Sequence, residues 1–202
     1  FNFGGDCALY GGAYLVKVVA SDNTASTTWG LGGSLSGINQ GFYGCSLLSE
    51  VPAYIPYSVT SANNLFYNAT IGAGLGIGGW STANIVDMSY MFYNTTFTGT
   101  TGIGSWDVSS STNMAYMFYD ASTFNENIGV WNTANVSDMS FMFYNATTFN
   151  QNISSWTTSS VTTMVSMFYN AEVFDQFIQT WDTTKVASYA GMFTQADAMI
   201  AT

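Results

Sequence analysis

The sequence contains no histidine and no arginine, and its only cations are Lys17 and Lys185. Without an imidazole, neither a Ser-His-Asp nor a Cys-His nucleophile system can be built, and His-ligated zinc, iron or copper is excluded. Against the two cations stand 12 acidic residues, for a net charge of −10. Nucleic acids and anionic lipids are held through Lys and Arg clusters on phosphate, so neither is expected as a partner. Charged residues of either sign make up 7% of the chain, against about 25% in ordinary soluble domains. The surface must therefore be coated by Ser, Thr, Asn and Gly. No apolar run reaches the roughly 18 residues of a membrane span. The chain opens on Phe1 rather than Met, as a secreted protein does after its signal is removed, or as any trimmed chain does.

What is present is a repeat. Trp80, Trp106, Trp131, Trp156 and Trp181 follow one another at steps of 26, 25, 25 and 25 residues. The tile WNTANVSDMSFMFYNATTFNQNISS, from Trp131 to Ser155, is echoed by the tiles that begin at Trp106 and Trp156. Tyr54 holds the Trp slot one tile earlier. Phe66, Phe92, Phe118, Phe143, Phe168 and Phe193 recur in a second slot, which gives six turns. A fixed period in this range marks stacked repeats, each burying its apolar face on the next.

Within a tile, Val136, Met139, Met142, Phe143 and Ala146 fall at helical spacing and predict a helical segment of two to three turns. The methionines of this stripe are expected in the core, where thioethers fill gaps between turns. Phe149 and Ile153 occupy a stretch too short for a helix and suited to a brief strand. The expected fold class is α/β: a leucine-rich-repeat-like solenoid of about six 25–26-residue turns, each with a short parallel strand and a short helix. Parallel rungs about 4.8 Å apart would make a rod of roughly 30 Å. A WD propeller is excluded despite Trp106-Asp107 and Trp181-Asp182, because its blades need about 40 residues.

Two regions are expected: an N-terminal cap over 1–53 and the repeats over 54–202. Ala8 to Ala20 reads as strand, and 29–53 reads as a degenerate opening turn, with Trp29 and Phe42-Tyr43 near the repeat spacing. Cys7 and Cys45, the only cysteines, both lie in this cap. In a secreted chain they would pair; otherwise they are two buried thiols. Closing a loop of about 38 residues would stabilise the cap by about 4 kcal/mol in the chain-entropy model. The glycine-rich 71–79 lacks the Lys and the GxGxxG context of a phosphate loop and is read as a packed turn.

The tile resembles the BspA-like surface-protein repeats, a divergent branch of the leucine-rich-repeat class, whose pattern runs approximately F-N-x-x-I-x-x-W-x-x-x-x-V-x-x-M-x-x-M-F. Phe124-Asn125, Ile128, Trp131, Val136, Met139 and Met142-Phe143 meet it, as do Phe149-Asn150, Ile153, Trp156, Val161, Met164 and Met167-Phe168. Ser111 departs from it in the Val slot, as do Tyr189 and Thr194 in the last turn. The resemblance implies a secreted or cell-surface protein for adhesion and recognition, with no catalytic residue and no cofactor.

Five N-x-S/T sequons stand at Asn68, Asn94, Asn135, Asn145 and Asn152. Asn68, Asn94 and Asn145 share one slot and would carry a column of N-glycans, or else Asn serves that slot as a cap, since Asn170 and Asp120 hold it without a sequon. Asp87, Asn113 and Asp138 share another slot, as a weak calcium ladder or as turn formers. No pair of carboxylates is singled out as a glycosidase would require. The chain closes on GMFTQADAMIAT, still apolar at Met199 and Ile200, while Phe1-Asn2-Phe3 echoes the Phe-Asn that opens each strand segment. The expectation is a homopolymer in which the arm of one subunit completes the open end of the next. The competing expectation is an adhesin that meets a host protein or glycan through the Tyr93, Tyr119, Tyr144 and Tyr169 column.

Overall fold

The computed structural model describes residues 36–46, 48 and 51–200. Its organising element is a stack of tiers rather than a set of long helices or strands. Six parallel bridges join Gly37, Ser61, Asp87, Asn113, Asp138, Thr163 and Ser188 in sequence, so each tier lies in register on the one before. The stack thus already includes Gly37, within the region read as cap.

The helix predicted over Val136–Ala146 is not formed. Instead the backbone N–H groups alternate between two destinations. Met142, Tyr144 and Ala146 donate three residues back, to Met139, Phe141 and Phe143. Met139, Phe141, Phe143 and Asn145 donate to Thr163, Val165, Met167 and Tyr169 of the following tier, at 2.8–3.2 Å. A helix would keep every N–H for itself. Left-handed backbone at Phe141 (φ 58°) and Asn145 (φ 55°) breaks the helical path and makes two consecutive turns. Those turns place the same apolar residues inward that a helix would.

The strand expected at Phe149–Ile153 is likewise absent. Among the described residues, paired strands are β1 (Thr70–Ile71) and β2 (Thr96–Phe97), in parallel register; the strand expected at Ala8 to Ala20 lies outside them. In the lower tiers a side chain replaces the backbone acceptor: Asn150 N–H donates to Asn125 Oδ1, and Asp175 N–H to Asn150 Oδ1, each at 3.0 Å. The only α-helix among the described residues is α1 (Asp197–Ile200).

The core is built of columns. Phe42, Phe66, Phe92, Phe118, Phe143, Phe168 and Phe193 stack with ring centroids 5.1–5.7 Å apart. The five tryptophans stack beside them at 6.2–6.4 Å where successive rings are recorded in contact. Each indole N–H reaches a backbone carbonyl one tier back, as from Trp106 to Ile77 and from Trp156 to Ile128, so burial leaves no orphan donor. The paired methionines from Met88 to Met167 are buried throughout. No buried side-chain polar atom among the described residues lacks a partner.

Positive φ recurs in one slot of every tier, at Gln40, Asn64, Tyr90, Tyr116, Phe141, Ser166 and Gly191. For a non-glycine residue this conformation costs about 1–2 kcal/mol. The aromatic members offset the cost by stacking on one another at 4.5 and 4.6 Å, which Ser166 cannot do. Replacing Ser166 by Gly should therefore raise the melting temperature, with a net gain below about 1 kcal/mol after the added freedom of the unfolded chain. Phe143→Ala should lower it by about 3–5 kcal/mol in stability. Thermal denaturation followed by circular dichroism measures both.

Candidate functional site

The bridge column carries Asp87, Asn113 and Asp138. Each side chain accepts the N–H two residues on, of Ser89 (3.0 Å), Ala115 (3.0 Å) and Ser140 (2.8 Å). Asp87 also accepts the Ser89 hydroxyl at 2.6 Å. These are turn caps built on the residue that begins each double turn. Among the described residues no group of three or more acidic, Cys or His side chains is placed to hold a metal.

A second column runs through the slot after the tyrosines, left-handed in every tier, with Asn68, Asn94, Asp120, Asn145 and Asn170 between Gly44 and Gln195. Asn tolerates this conformation better than most residues. Its amide also links the tiers: Asn94 Nδ2 donates to Asn68 Oδ1 (2.9 Å), Asn145 to Asp120 (2.6 Å) and Asn170 to Asn145 (3.1 Å). Of the five sequon residues, Asn94, Asn135 and Asn145 thus spend an amide N–H on the preceding tier, Asn135 on the Ser109 carbonyl at 2.7 Å. Asn68 and Asn152 are exposed and use only their carbonyl oxygens.

Beside this column Tyr43, Tyr67, Tyr93, Tyr119, Tyr144 and Tyr169 stack face to face at 4.5–4.7 Å. A shorter aromatic column, Tyr90, Tyr116 and Phe141, flanks them. The ring faces are occupied by neighbouring rings, and what the column offers to solvent is its edges. Partial burial pushes the pKa values of Tyr67, Tyr90, Tyr93, Tyr119 and Tyr144 upward, and neighbouring anionic phenolates or carboxylates add to it. The Asp107 carboxyl is held below its ordinary range by the hydroxyl and N–H of Ser109.

The C-terminal tier is a third feature. In every other tier four alternate N–H groups reach the tier below. In the last, the equivalent N–H groups of Tyr189, Gly191, Phe193 and Gln195 meet no partner among the described residues. Phe177 (59%) and Tyr189 (62%) are exposed at this end. Met199 packs against the core's edge, while the side chain of Ile200 lies outside the described residues. Phe1, Asn2 and Phe3 also lie outside them, as does Cys7; Cys45 is buried in the first described tier.

One feature escaped the sequence reading. A cavity of about 180 Å³ opens on the side of the stack, lined by Phe97, Gly99, Thr100, Thr123, Asn125 and Glu126. Its signal was available: it sits where the period shortens from 26 to 25 residues.

Backbone, amide and ring ladders running tier to tier define a tandem-repeat protein. Over residues 37–99, 60–172 and 94–201 it matches the family described as "Mycoplasma protein of unknown function, DUF285". The chain belongs to this family. No curated protein matches it, and no solved structure does.

The tyrosine column generates a pH dependence. A phenol whose folded-state value lies above the ordinary value of about 10 keeps a proton that the unfolded chain releases. The resulting stabilisation is complete below about pH 10 and is lost as pH rises through the raised values. Phenolate absorbance should therefore titrate at higher pH in the folded chain than in the denatured chain. Coincident curves would refute this.

Proposed function

We propose that the chain is a non-enzymatic extracellular structural protein, a leucine-rich-repeat-like solenoid of BspA-like tiles that assembles head to tail into surface or extracellular fibres. The observation that carries this reading is that the backbone N–H groups of Tyr189, Gly191, Phe193 and Gln195 have no partner among the described residues. An edge of unpaired backbone groups beside exposed apolar side chains is a template for another chain. These four groups are donors, and the Ala187 carbonyl is the acceptor beside them, in the place from which Thr162 accepts the Ala187 N–H. The proposed occupant brings carbonyls from elsewhere on the neighbouring subunit, a heterologous contact that stays open for growth. In this reading the arm around Phe1, Asn2 and Phe3 supplies the acceptors, and a Cys7–Cys45 bridge holds the cap.

Tyr189→Pro tests the edge directly. It removes one outward donor whose loss breaks no bond between described residues, and the Tyr189 carbonyl still accepts from Met192. Negative-stain imaging of the purified chain should find filaments for wild type and for Tyr189→Ala, and monomers for Tyr189→Pro. A monomeric wild type rejects assembly altogether; filaments from Tyr189→Pro reject this edge.

The same extracellular reading makes the chain a glycoprotein. A glycosylating host should add sugar at Asn68 and Asn152, whose amide nitrogens are unspent, and leave Asn94 and Asn145 bare in the folded product. Glycopeptide mass spectrometry reads occupancy at each site, and sugar on Asn145 would contradict the protective role of the ladder. A recognition module is the second reading, favoured by the lateral cavity.

A further inference from the structure

The upper and lower tiers differ in how they travel from the Phe slot to the Ile that precedes each Trp. Phe97 to Ile103 takes six steps along the chain, whereas Phe124 to Ile128 takes four. Where the two kinds of tier meet, backbone cannot stack on backbone and a notch opens. Glu126 bridges the step. Its Oε1 accepts the N–H (2.6 Å) and hydroxyl (2.7 Å) of Thr101, and its Oε2 accepts the Gly102 N–H at 3.0 Å.

The polar groups at this notch differ from many others beside the stack. Elsewhere, the hydroxyls of Thr82, Ser111, Thr133 and Thr158 are spent on carbonyls of adjacent tiers. At the notch, capacity is left over. Thr100 makes no side-chain hydrogen bond among the described residues. Thr123 accepts the Phe97 N–H at 2.8 Å and retains its own proton to donate. Asn125 uses its carbonyl oxygen, on Asn150 and Gln151, but not its amide N–H groups. Glu126 Oε2 accepts a single bond. Donors and acceptors therefore converge on one cavity of about 180 Å³, with the largely buried Phe97 in its lining.

We propose that this notch is a subsite for one neutral sugar ring of hexose size. Binding pockets combine apolar surface with a few placed polar groups. A pyranose has the matching halves, C–H groups for the small apolar surface that Phe97 leaves in the lining and hydroxyls that both donate and accept for Thr100, Thr123, Asn125 and Glu126. A cation is disfavoured because the single carboxylate is already compensated by three donors, and an anion would meet that carboxylate. The site goes beyond the structural role and does not depend on assembly.

Saturation-transfer NMR of the full chain with glucose, galactose, mannose and N-acetylglucosamine, each separately, tests it. Transfer to at least one sugar is expected. It should be lost in Thr100→Trp, whose indole fills the notch, and kept in Thr157→Trp, which places the same side chain at an exposed position elsewhere. Thr100→Val, which removes only the hydroxyl, should weaken transfer severalfold without changing the fold. Transfer to none of the four sugars overturns the proposal. So does transfer that is undiminished in both Thr100 variants.

Discussion

Everything in this molecule depends on the hydrogen bond that every second N–H of the turn segment makes to the tier below. By sending Met139, Phe141, Phe143 and Asn145 to Thr163, Val165, Met167 and Tyr169, the backbone gives up helical closure for stacking. Left-handed residues four apart are the local condition for this, since they turn the chain twice without consuming those N–H groups. Side-chain identity follows. The slot before the second turn holds Tyr or Phe where stacking offsets the backbone cost, and the slot after the tyrosines holds Asn or Asp, which accept the conformation and also link the tiers.

The columns are a consequence of that registration. Once backbones repeat in parallel, like residues must lie on like residues, and rings at the same slot are brought within stacking distance whether inside or outside. Phe143 and Tyr144 are neighbours in sequence, yet one contributes to the buried column and the other to the outer one. The same registration fixes how polar atoms are satisfied. Indole N–H groups and Thr or Ser hydroxyls reach carbonyls of adjacent tiers, which lets a chain with so few charges bury its polar atoms without orphans.

Much of this was legible in the residues. The Trp and Phe spacing located the columns, and the apolar stripe from Val136 to Ala146 identified the inward side chains correctly. Its conformation was not legible, because consecutive turns and a helix place residues three and four apart on the same side. The distinguishing sign was the recurring Asn of Phe-Tyr-Asn, a residue suited to positive φ. The brief strand at Phe149–Ile153 was misread for a related reason: Asn150, which looked like part of a strand motif, provides through its side chain the acceptor that a neighbouring backbone would otherwise supply. The cavity at Glu126 escaped because it arises from a mismatch between tiers, and no single tile contains it.

Because each tier is bonded almost wholly to its two neighbours, the stack behaves mechanically as a series of separable layers. The layer that contains Ser188, Ala190, Met192 and Thr194 accepts from the layer before it at those four carbonyls. Under tension such a stack would peel layer by layer, and each layer of 25 residues would release a thread of about 85 Å. The repeat that gives the molecule its order thus also makes it an extensible tether, yielding length in fixed increments while the layers above keep their shape.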